Sequence, residues 1–136
     1  MKKYIVVFAL LLISNSIISQ TIKEEEIYGT WKVQKNLTTT TNPSFKDIIE
    51  GFLSSTFRFE ENGAFKLNSP NKSTIFLMTL EMTKNKKWKF DNGWQLIQIG
   101  SDQDSFSIMG IYVKKSSGKI IFQVSESELQ FEMIKI

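Results

Sequence analysis

The stretch IYGTWKVQ, Ile27 to Gln34, decides how this chain is read. Its β-branched and aromatic residues alternate with polar ones, the period-two pattern of a half-buried strand. Gly29-Thr30-Trp31 either opens an ordinary strand, with Trp31 as one more core residue, or marks the closed end of a small β-barrel. At a barrel base Gly29 lets the backbone pass close while the indole covers the floor.

Seven residues earlier a leader ends. Lys2 and Lys3 form a positive start, Tyr4 to Ile13 is a run of ten apolar residues, and Ser14 to Ser19 supplies small residues for cleavage, the layout of an export signal. Ten apolar residues are too few for a bilayer-spanning helix, which needs about 20. Residues 1–19 are therefore expected to be a cleaved signal peptide and residues 20–136 a single exported domain, periplasmic or extracellular, with no stable membrane span after cleavage.

Removing Lys2 and Lys3 takes the balance from 17 Lys+Arg against 14 Asp+Glu to 15 against 14, so the mature chain is close to neutral. Nucleic acid, whose recognition needs clustered positive charge, is not an expected partner. The chain has no Cys and no His, which excludes disulfides, thiolate metal sites and lipid attachment at a Cys. General acid or base work would fall to carboxylates, Lys or Tyr. The acids Glu60, Glu61, Asp91, Asp102, Asp104, Glu126 and Glu128 mostly sit at predicted turns. Asp102-Gln103-Asp104 has alternate carboxylates but lacks the Gly and Glu spacing of a calcium loop, and reads as a solvated turn. No enzyme activity, cofactor or metal is expected. A monomer is.

Alternation continues to the C-terminus and predicts strands near 27–37, 55–60, 64–68, 74–82, 86–90, 94–100, 105–114, 119–125 and 128–136. In FRFEENGAFKL a three-residue loop, Glu61-Asn62-Gly63, sets Phe59 opposite Phe65 and Phe57 opposite Leu67, with Gly63 in the left-handed position. The same loop chemistry at Asp91-Asn92-Gly93 sets Phe90 opposite Trp94 and Trp88 opposite Leu96. At Ser116-Ser117-Gly118 it sets Tyr112 opposite Phe122. A two-residue Glu126-Ser127 loop sets Phe122 opposite Phe131 and Ile120 opposite Met133. One segment departs from alternation: NPSFKDIIEGFL places Phe45, Ile48, Ile49, Phe52 and Leu53 at helical spacing, with Pro43 and Ser44 as start signals. Gly51 weakens that helix by about 1 kcal/mol relative to Ala, so docking must hold it.

Successive hairpins and the need to hide sheet edges favour an up-and-down barrel or a strongly curled meander. The order YGTWKVQ, STFRFEENGAFKL, KKWKFDNGWQLIQIG and KIIFQVSESELQF resembles the small secreted lipocalin-like domains of bacteria across residues 27–136. The resemblance implies an all-β, up-and-down antiparallel barrel of about eight strands, with one short helix after the first strand. It also implies that Gly29 and Trp31 close one end and that a small hydrophobic molecule is held inside. Inward candidates for that ligand are Phe57, Phe59, Phe65, Trp88, Phe90, Trp94, Tyr112, Phe122 and Phe131. The alternative is that these rings fill the barrel themselves and that the domain is a non-catalytic interaction or envelope module. Larger lipocalins set a basic residue of the last strand against the first-strand tryptophan; here the only arginine is Arg58, and Lys135 reads as a poor substitute. The lysines of MTKNKKWKF, Lys84, Lys86, Lys87 and Lys89, read as a solvated face, with contact to anionic lipid or polysaccharide as the functional alternative.

Overall fold

The computed structural model describes residues 20–40, 42–71 and 73–136; the expected signal peptide, residues 1–19, lies outside them. Eight antiparallel strands form one sheet: β1 Gly29–Asn36, β2 Thr56–Phe59, β3 Phe65–Asn68, β4 Lys87–Asp91, β5 Leu96–Gly100, β6 Met109–Ser116, β7 Lys119–Val124 and β8 Gln130–Lys135. Their order is β3-β2-β1-β8-β7-β6-β5-β4, so every strand lies beside its neighbours in sequence and the first pairs with the last. The sheet edges β3 and β4 meet at an Ala64–Lys87 bridge, where Phe65 N–H donates to Lys86 O (3.1 Å) and Trp88 N–H to Gly63 O (2.9 Å). The result is a nearly closed up-and-down barrel whose weakest junction is this β3/β4 seam.

Strand direction alternates, so the β2–β3, β4–β5 and β6–β7 turns share one end of the barrel, here the base, with the start of β1. A four-residue helix, α1 (Glu24–Ile27), precedes β1 there. The other end carries α2 (Lys46–Leu53) and α3 (Thr74–Thr83). A 3-10 turn, Pro43–Phe45, leads into α2 and is capped by Asn42, whose Oδ1 accepts from Ser44 N–H (3.0 Å) and Ser44 Oγ (2.8 Å).

The expected strand over 74–82 is helix α3. Ser73 Oγ accepts from Phe76 N–H (3.3 Å) and starts it, and Leu77, Met78, Leu80, Glu81 and Met82 are good helix formers. An apolar run of this length with no polar alternation fits a buried strand or a helix equally well by period alone. Here Phe76, Leu80 and Thr83 face the barrel, which leaves Ile75, Met78 and Met82 along the outer stripe.

Register separates the hairpins that were read correctly from those that were not. Phe59 pairs with Phe65 and Phe57 with Leu67, with Gly63 at φ +92, as the three-residue loop requires. Phe122 pairs with Phe131 and Ile120 with Met133. The β4–β5 turn is longer than expected, so Phe90 pairs with Ile97 and Trp88 with Ile99; Trp94 lies in the turn and Leu96 leaves the inner face. In β6–β7 both residues of a Ser117-Gly118 turn take positive φ, and Phe122 faces Val113 while Tyr112 moves to the outer face opposite Gln123.

α3 packs beside β3 and against α2, and its approach to α2 is close at one point. A Cβ on Gly51 would lie 2.2 Å from carbons of the Phe76 ring, which is fully buried. Gly51→Ala gains about 1 kcal/mol of helix propensity and forces apart a rigid ring and a helix backbone, an overpacking cost of about 1–3 kcal/mol. The expected net result is destabilisation, with a lowered denaturation midpoint in urea; an unchanged or raised midpoint means that Phe76 does not seat on Gly51.

Candidate functional site

Six of the nine expected lining rings, with Tyr28, Trp31, Phe52 and Phe76, form one continuous column. From the base, Tyr28 meets Trp88 (centroids 5.9 Å) and Trp88 meets Phe59 (5.3 Å), which also touches Phe65 (5.3 Å) and Phe122 (6.1 Å). Phe122 contacts Trp31 (5.5 Å) and Phe57 (6.0 Å), and Phe57 stacks on Phe52 of α2 (5.8 Å). Phe52 ends the column against Phe76 of α3 (5.1 Å) and Phe131 of β8 (5.6 Å). Most of these pairs are edge-on or tilted, the arrangements that ring quadrupoles favour.

Of the nine expected lining residues, Phe57, Phe59, Phe65, Trp88, Phe122 and Phe131 are buried in this column. Phe90 is on the inner face but only partly buried. Two must be corrected. Trp94 is 72% exposed at the β4–β5 turn, and Tyr112 lies on the outer face of β6. Both errors arise from a one-residue slip, which exchanges the faces of a strand. The rings that sequence reasoning left out of the interior are Phe52 and Phe76, because they come from helices and belong to no strand alternation. Ile97, Ile99, Ile111 and Val113 take the inner positions that Trp94 and Tyr112 vacate.

Trp31 is buried near the start of β1, at the base. Its Nε1–H donates to Ile27 O (2.8 Å), Ile27 is fully buried, and Lys135 places its ammonium 5.1 Å from the indole centroid. Lys135 Nζ also donates to Glu26 O (2.7 Å), tying the last strand to α1. Lys135, expected to be a poor substitute, therefore takes the place over the indole. Gly29, at φ +124, keeps the backbone next to the Lys135 stem, where an added Cβ would come within 3.5 Å of it. The segment before α1 is pinned by Gln95, whose Oε1 accepts from Ile22 N–H (2.7 Å) and whose Nε2 donates to Ile22 O (3.3 Å).

At the opposite end the β5–β6 loop is built on Asp104. Its Oδ1 accepts from Ser101 N–H (2.9 Å) and Ser107 N–H (3.3 Å), and its Oδ2 from Ser101 Oγ (2.8 Å) and Lys86 Nζ (3.4 Å). The Ser101 backbone bond, chiefly, holds its pKa down at about 2. Asp102 and Gln103 are exposed in a turn, as expected, while Asp104 is bonded within it; a lowered pKa is the wrong direction for a general acid or base at neutral pH. Tyr28 at the base is shifted up, by burial first and then by Glu24, Glu25 and Glu61.

Among the described residues, grooves on the outer surface include the following two. One, of about 450 Å³, runs beside Tyr28, Arg58 and Glu61 at the base. The other, of about 330 Å³, lies over the β3/β4 seam. Among the described residues, no group of three or more His, Cys, Asp and Glu stands together, and no helix is long and apolar enough to cross a membrane. Comparison with protein-family models, curated proteins and solved structures returns no match.

Asp104 gives the loop a pH dependence of defined sign. Its folded pKa lies below the ordinary 3.8, so its contribution is complete above about pH 4 and is lost as pH falls toward 2. The thermal midpoint of the wild type should fall more steeply across that window than that of Asp104→Asn, which has already lost the contribution at neutral pH. Parallel curves for the two proteins would show that Asp104 does not carry it.

Proposed function

We propose that this chain is an exported, non-catalytic β-barrel module that works through its outer surface. The observation that carries this reading is the ring column: aromatic side chains from β1, β2, β3, β4, β7, β8, α2 and α3 meet one another where a carrier would hold its ligand. An eight-stranded barrel has room for one small ligand or for its own side chains, and these residues favour the second. Relation to the lipocalin-like domains, export through the leader and a monomeric state belong to the same proposal.

Exposed apolar surface supports action from outside. Ile75, Leu77, Met78 and Met82 of α3 and Leu53 of α2 are exposed together at the helical end, and Met78 is 61% exposed. Contiguous apolar exposure of this kind marks contact surfaces. The second reading, carriage of a small hydrophobic molecule inside the barrel, draws on one observation. Phe52 and Phe76 are contributed by helices and not by the sheet, so a movement of the cap would remove part of the filling.

An anilinonaphthalene-sulfonate titration of the Trp94→Phe variant separates the two, because only the buried Trp31 and Trp88 then report. Outward action predicts no saturable one-to-one quenching of those indoles, and loss of any remaining probe binding in Met78→Glu. Saturable quenching that survives Met78→Glu would establish an interior site and overturn the proposal.

A further inference from the structure

We infer that the groove over the β3/β4 seam is a binding site for a multiply charged phosphate group, carried by a small molecule or a lipid headgroup. It is lined by Lys66, Lys86, Lys87, Asn62, Asn85 and Ala64 and encloses about 330 Å³. This goes beyond the outward-acting module and stands whether or not α3 meets a partner.

Three features single the groove out. First, its lining offers donors. Three lysines line it, and Asn62 Oδ1 accepts from Ala64 N–H (3.0 Å), which leaves the Asn62 amide N–H groups without that partner. A phosphate, all acceptor and more than singly charged, matches such a lining better than a carboxylate does. Second, the positive charge is incompletely answered. Glu60 is shared between Arg58 (3.2 Å) and Lys66 (3.8 Å), and Lys86 is paired with Asp104 (3.4 Å). Lys87 makes no ion pair among the described residues.

Third, the cations stand on opposite sides of the barrel's weakest junction. Lys66 extends from β3 and Lys87 from β4, above the two hydrogen bonds that hold these edges together. An anion bridging them would act as an additional fastening for the seam, so binding and stability are linked. The small side chain of Ala64 leaves the space between them open. The lysines of MTKNKKWKF thus divide: Lys86 and Lys87 line the site, while Lys89 sits 4.6 Å from the Phe106 ring and Lys84 follows α3.

The test is calorimetric titration of the full chain with inorganic pyrophosphate at a constant ionic strength of about 0.1 M, alongside thermal unfolding. Wild type should bind saturably and its midpoint should rise with ligand. Lys66→Gln with Lys87→Gln should weaken binding by about tenfold or more, the loss expected for removing a charge-assisted contact. Lys87→Gln alone, at an exposed unpaired position, checks that the effect is not a folding defect. Lys46→Gln with Lys114→Gln, remote from the seam, should leave binding unchanged. Vesicles of phosphatidylcholine with and without phosphatidate supply the second arm: phosphatidate-dependent sedimentation that needs Lys66 and Lys87 assigns the phosphate to a headgroup even where free pyrophosphate is weak. Absence of both, or equal losses in the seam and remote variants, would overturn the site and leave the module proposal untouched, since that rests on the interior.

Discussion

The structure depends on aromatic rings packing against one another along the barrel axis. With no cysteine in the chain, the fold must rest on its core, and that core is built around Phe122, which touches Trp31, Phe57 and Phe59 and lies opposite Phe131. Each fully buried ring contributes about 1.5–3 kcal/mol through removal from water, and a favourable ring pair adds about 0.5–1.5 kcal/mol. The inner faces of the strands supply most of the column. The ends need other parts, because strands alone leave both mouths open.

Short helices stand at both ends, held by hydrogen bonds at the base and by ring contacts at the other end. At the base, α1 presents Ile27 to Trp31, and Lys135 reaches from the last strand to bind Glu26 O and cover the indole. One side chain therefore joins the C-terminal strand, the N-terminal helix and the floor. At the other end Phe52 extends the column out of the sheet, and Gly51 makes the recess in which Phe76 sits. The same α3 packs beside β3, next to the incompletely paired seam, so a helix stands where an open strand edge would otherwise be exposed.

The barrel, eight of the nine expected strands and the helix after β1 were legible in the sequence because alternation and turn chemistry agree there. Gly63 is a clear case: its left-handed conformation fixes the loop, the loop fixes Phe59 against Phe65, and both rings face inward. The β4–β5 turn was misread because its left-handed residue is Gln95 at φ 52 and not Gly93, and Gln95 is held by Ile22, 73 residues away. Local sequence carries no trace of that bond. In β6 the slip between Tyr112 and Val113 exchanges one apolar residue for another, so alternation could not decide it. α3 was taken for a strand because its apolar residues lie on both sides, one set against Phe52 and the other toward solvent. The candidate interior site was legible as a list of rings, but whether rings line a space or fill it depends on Phe52 and Phe76, which strand patterning does not include.

On the proposed reading the rings fill the interior, and the functional surface lies outward, at the apolar helical end and the lysine-lined seam. The claim beneath both is that no room remains inside. Xenon under pressure tests it directly, since dry apolar cavities large enough for a small guest take up the gas. Crystals of the wild-type protein should show no xenon within the ring column, whereas Phe122→Ala should create a site there. Xenon in the wild-type column, among Phe57, Phe59 and Phe122, would contradict the account.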